Sequence, residues 1–158
     1  MPKKNQPIPQ IILNSQYLKD LSFESPNSPI SLTKVNKQPN IQFNIDINAG
    51  KLNDNNYEIT LTISAKATDK DDDKYIIFLT EIKYAGLFTI NETDDAKLKE
   101  ILLVHCPNLL FPYARRVVSD ATRDGGFPPL MTEPINFHKL YSDKNSGEKN
   151  KSNDNTIN

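Results

Sequence analysis

Tryptophan is absent from this sequence, cysteine occurs once, glycine five times, and no charge of one sign dominates. Each shortage closes off a class of protein. The single cysteine, Cys106, cannot form an internal disulfide, which fits a reducing cytoplasm. Lys plus Arg (19) nearly balance Asp plus Glu (20), for a net charge of −1. Binders of nucleic acid or membrane surfaces usually carry a basic excess, and no basic cluster interleaved with aromatics occurs here. Long apolar runs are missing too. Ile11-Ile12-Leu13 is too short for the core of a signal peptide, and Pro7 and Pro9 interrupt its approach. No segment nears the roughly 18 apolar residues of a membrane span. The expectation is a soluble cytoplasmic protein with no nucleic-acid partner and no membrane insertion. No glycine-rich phosphate loop or nucleophile elbow occurs. That leaves no catalytic residue, metal or cofactor to assign and points away from an enzyme.

What the sequence does hold is alternation. At 158 residues one domain is expected, and an apolar share of 37% leaves part of the chain outside any core. Residues 1–9, with Pro2, Pro7 and Pro9, read as a flexible leader. Gln10 to Glu24 is strand-like, with Leu13, Tyr17, Leu21 and Phe23 at odd positions. Ser25-Pro26-Asn27-Ser28-Pro29 demands a turn or an extended crossover. Ile41, Phe43, Ile45 and Ile47 alternate with Gln42, Asn44 and Asp46, the mark of a strand with one buried and one wet face. After the polar turn Asn53–Asn56, Tyr57, Ile59, Leu61, Ile63 and Ala65 alternate with Glu58, Thr60, Thr62, Ser64 and Lys66, so the two strands should form a hairpin. A charged turn, Asp69 to Lys74, leads to Tyr75–Ile90. This run is apolar on both parities, and Gly86 suggests a bulge or bend. Together these give a four-stranded antiparallel meander.

From Thr93 the period changes. Thr93 is a candidate N-cap, with Asp94 and Asp95 in the first turn. Leu98, Ile101, Leu102 and Leu103 form an apolar helical face, and Pro107 breaks or kinks the segment. Leu109, Leu110, Tyr113, Ala114, Val117, Val118 and Ala121 define a second helix, with Pro112 tolerable only near its first turn. Gly125-Gly126 ends it, and Phe127-Pro128-Pro129-Leu130 is a stiff apolar loop. Phe137 to Tyr141 read as a short helical turn, and residues 142–158 as a disordered tail whose acids and lysines cancel. The fold class is α+β: a four-stranded antiparallel sheet with helices packed on one face.

Few residues invite chemistry. His105 and Cys106 are adjacent, but neighbours on a helix diverge by about 100° and no further ligand stands at metal spacing. A structural or neutral role is expected for both, and a surface place for His138. Asp69, Asp71, Asp72 and Asp73 interleave with lysines and lack the glycine and late glutamate of a calcium loop, so they read as a solvated turn.

Four separated blocks carry a resemblance. CPNLLFPYAR and GGFPPLMTEPINF, within Cys106–Phe137, are joined in order by KDLSFESPNSP at 19–29 and FLTEIKYAGLFTI at 78–90. In this order and spacing they resemble the SecB family of export chaperones, across roughly Gln10 to Tyr141. The resemblance implies that the chain holds precursor proteins unfolded in the cytosol and delivers them to the motor SecA. It also implies a homotetramer built as a dimer of dimers. Asp20, Glu24, Leu79 and Glu81 match SecA-contacting positions, and Thr80, Ile82 and Tyr84 match assembly-sensitive ones. Phe23, Phe111, Tyr113, Phe127, Phe137 and Tyr141 are candidates for a client groove, with at least half of them expected in the core. Strand parity puts Leu79 and Glu81 on the wet face with Lys83, and Phe78, Thr80, Ile82 and Tyr84 on the face that meets the helices. The alternative is a hydrophobic-ligand carrier with a cavity beneath the helices, and a small hydrolase or isomerase is a more distant rival.

Overall fold

The computed structural model describes residues 8–33 and 38–153, with side chains through Ser146; most of the expected leader, the segment 34–37 and the last five residues lie outside them. In chain order come strand β1 (Gln10–Glu24), the short helix α1 (Ile30–Thr33), and strands β2 (Asn40–Asn53), β3 (Asn56–Thr68) and β4 (Ile76–Asn91). Helices α2 (Asp95–Glu100), α3 (Cys106–Asp124) and α4 (Phe137–Asn153) follow.

The strands form one four-stranded antiparallel sheet in the order β1-β4-β3-β2. The hairpin expected of β2 and β3 is present. Its loop is Asp54-Asn55, with Asp54 at φ 30°, a value that short polar side chains tolerate. The simple meander holds only for β2-β3-β4. β1 does not lie beside β2 but pairs with β4, from Gln10 opposite Asn91 to Glu24 opposite Leu79. That edge suits it, because β4 offers a long unpaired row of backbone donors and acceptors. The register of β1 slips between Leu13 and Ser15 and again between Leu18 and Asp20. These bulges overturn the odd-position reading. Tyr17 faces the side opposite to Leu13, Leu18, Leu21 and Phe23.

Alternation decides which face is buried. Ile59, Leu61, Ile63, Ile82, Phe88 and Ile90 are fully buried beneath the helices, whereas Glu81 and Lys83 are exposed. α3 crosses this face against the direction of β4. Gly86 makes no bulge; its register is unbroken with both neighbours. It makes room instead, since a Cβ there would stand 2.7 Å from the Phe88 ring and 2.8 Å from Leu110 of α3.

The helical half departs from expectation in four places. The N-cap of α2 is Asp94 rather than Thr93; its carboxylate accepts the Lys97 N–H at 3.0 Å. Pro107 does not break the chain's helical path. Residues Ile101–His105 form a single π-type turn, with the Cys106 N–H bonded to the Ile101 carbonyl, and this wider turn carries the helix into Pro107 at the start of α3. Pro112 lies inside α3 rather than in its first turn. It removes the hydrogen bond to the Asn108 carbonyl, and both residues are exposed, so water can replace that donor. Finally, α4 runs from Phe137 to Asn153, so residues 142–153 are helical and not a disordered tail.

Gly125 and Gly126 do end α3. Gly126 has φ 88°, where a side chain would be strained. Gly125 has an ordinary φ of −73° and is needed for another reason, described below.

Candidate functional site

The sheet has two unlike faces. On the side away from the helices, register aligns residues in rows across all four strands. One row reads Glu24–Leu79–Lys66–Gln42, the next Ser22–Glu81–Ser64–Asn44, and the next Asp20–Lys83–Thr62–Asp46. Asp20, Glu24, Leu79 and Glu81 therefore fall together on this open face, within three adjacent rows. Glu24, Leu79 and Glu81 line a shallow hollow of about 360 Å³ with Ser22, Gln42, Asn44, Ser64, Ala65, Lys66 and Thr80.

Further along the same face Glu58 is fully engaged. Lys19 Nζ donates to its Oε1 at 2.7 Å, and Tyr17 Oη donates a short hydrogen bond to its Oε2. The Lys19 ammonium first, then the Tyr17 hydroxyl, hold the Glu58 carboxyl below its usual range. In return Tyr17 is pushed up to about 12, chiefly by that hydrogen bond and then by burial and the carboxylate charge.

On the helix side the aromatic candidates separate. Phe111 and Phe137 meet edge to face at 5.7 Å and are 6% and 1% exposed. They are core residues, which removes them from the expected groove. α4 packs mainly on the π-type turn Ile101–His105, and Phe137 at its start reaches Phe111 of α3. Tyr141 is half-buried against the same cluster. Tyr113 is 48% exposed and stacks on Tyr84 at 6.5 Å. Phe23 and Phe127 are half-buried and form a cluster with Phe78, at 5.9 Å for Phe23–Phe78 and 5.3 Å for Phe78–Phe127.

Gly125 makes this cluster possible. A Cβ at that position would stand 2.2 Å from Cζ of Phe23, so the ring lies directly on the glycine backbone. Buried Thr122 fixes the loop that brings Phe127 in: its Oγ1 donates to the Ser119 carbonyl and accepts the Leu130 N–H, both at 2.9 Å. Phe78 was not among the groove candidates, though its parity beside Thr80 placed it on the correct face. Leu32 of α1 reaches the same rim, close to Gly126.

Thr80, Ile82 and Tyr84 are all buried on the helix side, and Thr80 Oγ1 donates to the Ser22 carbonyl at 2.9 Å. Burial pushes the Tyr84 hydroxyl upward, helped by neighbouring Tyr113. Along the β1 edge of this face Leu13, Leu18 and Leu21 stay exposed, as does Leu109 one turn before Tyr113.

The remaining candidates are either packed in the core or open to solvent. Cys106 is fully buried, and burial pushes its thiol up to about 12, so it is a packed, protonated side chain. His105 is exposed. His138 is exposed too, 3.8 Å from Glu100. In the charged turn, Asp69 and Asp72 accept the backbone N–H groups of Asp71 and Lys74 at 2.9 and 3.0 Å, as turn-forming aspartates do. The space a ligand carrier would need between helices and sheet is filled by Phe88, Leu110, Phe111 and Phe137; the hollow lies on the other, polar face.

What this fold offers other molecules is surface: a charged sheet face on one side, and half-exposed aromatics and leucines at the rim of the other. The class is thus a two-layer α+β binding protein. The profile of the family described as preprotein translocase subunit SecB matches residues 3–148. Protein-export protein SecB of Parvibaculum lavamentivorans is 43% identical over 141 residues, covering 89% of this chain and 82% of that protein. Protein-export protein SecB of Rickettsia akari is 43% identical over 147 residues, covering 92% and 95%. A SecB-like chaperone of Mycobacterium tuberculosis, solved in complex with a ChAD peptide from an antitoxin, shares the fold with a TM-score of 0.65 at 16% identity, over 79% of this chain and 90% of that one. The chain belongs to the SecB family, and its role is that of a chaperone in protein export.

Proposed function

We propose that this chaperone works in the cytosol, holding precursors unfolded and passing them to SecA through the open sheet face. The carrying observation is that Asp20, Glu24, Leu79 and Glu81 stand in adjacent rows of that face, facing away from the chain's own core. Exposed charges contribute little to folding, typically about 0–1 kcal/mol each, so partner recognition is the better use for them. The client side is the opposite rim. Phe23, Phe127, Tyr113 and Tyr141 supply apolar surface that an exposed apolar segment of an unfolded chain can cover. Binding the unfolded form alone shifts its equilibrium away from folding and aggregation without nucleotide, and apolar burial sets few sequence demands.

The working form is a homotetramer assembled as a dimer of dimers. Leu13, Leu18 and Leu21 on the β1 edge, with Leu109 of α3, leave apolar area exposed that a second copy can cover. Light scattering at micromolar concentration then gives a tetramer, and a monomer alone refutes the assembly. Calorimetry tests the docking face. Asp20→Lys, Glu24→Lys and Glu81→Lys weaken SecA binding while leaving binding of an unfolded precursor intact, and the SecA interaction alone weakens with salt. Parallel loss of both interactions in folded variants would move these residues to the client surface.

A further inference from the structure

The hollow on the open face has two unlike walls. Glu24 of β1 and Glu81 of β4 are carboxylates that only accept hydrogen bonds. Across from them, on β3 and β2, stand the Lys66 ammonium and the carboxamides of Gln42 and Asn44, which donate. Lys66 is in register with Leu79, which makes Glu81 its diagonal neighbour, two residues further along β4. Such neighbours lie about 7–8 Å apart, within reach of each other's side chains. Yet among the described residues Glu24, Glu81 and Lys66 form no ion pair. Alternate residues on one face of an extended chain are about 6.6 Å apart, close to the spacing of diagonal neighbours across paired strands.

We propose that the hollow docks an extended segment of a protein partner carrying a basic and an acidic residue two positions apart. The basic side chain lies between Glu24 and Glu81, and the acidic one meets Lys66 and the amides of Gln42 and Asn44. This rests on the reading that the open face docks a partner; what it adds is the charge pattern of the docked segment. An all-basic segment would be drawn by the two carboxylates but would meet Lys66 with its second cation. Lys66 is thus the residue that separates mixed-charge from all-basic segments.

Two synthetic peptides differing only in an Arg-Thr-Glu or Arg-Thr-Arg core, within the same uncharged flanks, are titrated into the isotope-labelled full chain and followed by NMR. Wild type favours Arg-Thr-Glu by about three- to tenfold, with shifts centred on Lys66, Glu81 and Asn44, and the preference shrinks with salt. Lys66→Glu, a surface change, reverses the preference, and Glu81→Gln weakens both peptides. Equal affinities, a wild-type preference for Arg-Thr-Arg, or no shifts at the hollow with either peptide would overturn the proposal. The motor reading fails separately: SecA binding indifferent to Asp20→Lys, Glu24→Lys and Glu81→Lys removes SecA as the partner while the peptide preference stands.

Discussion

Gly125→Ala perturbs the joint between the end of α3 and the end of β1, and its effect changes sign with a second residue. The backbone itself accepts alanine, since φ is −73° and ψ −2°. A glycine-to-alanine change at such a position usually stabilises by about 0.4–1 kcal/mol through the unfolded chain. Here the new Cβ would meet Cζ and Cε1 of Phe23 at 2.2 and 2.5 Å, too close for any packed pair of carbons. The ring must leave, and it gives up its stack on Phe78 at 5.9 Å and its tilted contact with Phe127 at 6.4 Å. Aromatic pairs contribute about 0.5–1.5 kcal/mol each, so losing both costs about 1–3 kcal/mol, a net cost of about 1 kcal/mol at mid-range once the backbone gain is subtracted. With Phe23→Ala already present the obstacle is gone, and Gly125→Ala becomes stabilising by about 0.4–1 kcal/mol. The assay is urea unfolding of the four proteins of the double-mutant cycle, followed by circular dichroism at one fixed protein concentration because assembly contributes to stability. An equal cost in both backgrounds, or no cost in the wild-type background, would refute the packing argument. Gly126→Ala is the internal control: at φ 88° it costs about 1–2 kcal/mol whichever residue stands at position 23.

Ile82 is fully buried on the helix face, so Ile82→Arg strands a charge without a partner at a cost above about 3 kcal/mol; light scattering should show a lower oligomeric state, and a stable tetramer would mean the face is misassigned. Tyr17 contributes fully below its ordinary pKa and loses that contribution as pH rises toward its folded value of about 12. Tyr17→Phe should therefore remove one late-titrating phenol from the ultraviolet pH titration, and an unchanged alkaline limb counts against the Glu58 hydrogen bond. Glu58 runs the other way, its depressed pKa giving stability above the ordinary carboxylate range that is lost as pH falls through the folded value; in Lys19→Met, acid unfolding should begin at higher pH. Cys106, with its thiol near 12, is only about one part in ten thousand ionised at pH 8, so a disulfide reagent should label it on unfolding and not before; rapid labelling of the folded protein would contradict its burial.

Legibility in the sequence followed the strength of one-sided burial. Phe43 to Ile47, Tyr57 to Ala65 and Phe78 to Tyr84 kept their parity because helices cover one face and water the other. β1 did not, because an edge strand half-exposed on both sides can take a bulge without moving a core residue, and two bulges did so. Its place beside β4 is a pairing across the length of the sheet, and local pattern carries no trace of it. The passage through Pro107 depends on a π-type turn that no residue type announces, and α4 extends through a stretch too polar to show an apolar stripe. On the open face, family likeness points to Asp20, Glu24, Leu79 and Glu81, and strand parity agrees for Leu79 and Glu81. Lys66, Gln42 and Asn44 carry no signal in the sequence, because polar residues on the wet side of a strand are the ordinary case. Only cross-strand register sets them around a hollow.

The order β1-β4-β3-β2 also sets a timetable for a chain made from its N-terminus. β2, β3 and β4 emerge in succession and can zip together through short loops. β1 leaves the ribosome first, yet its partner strand ends only at Asn91, and the glycine on which Phe23 rests lies further on, at position 125. Contacts so distant in sequence form slowly. Until they close, Leu13, Leu18, Leu21 and Phe23 are held on an unpaired strand, so the nascent export chaperone itself passes through a stage with sticky, strand-ready surface.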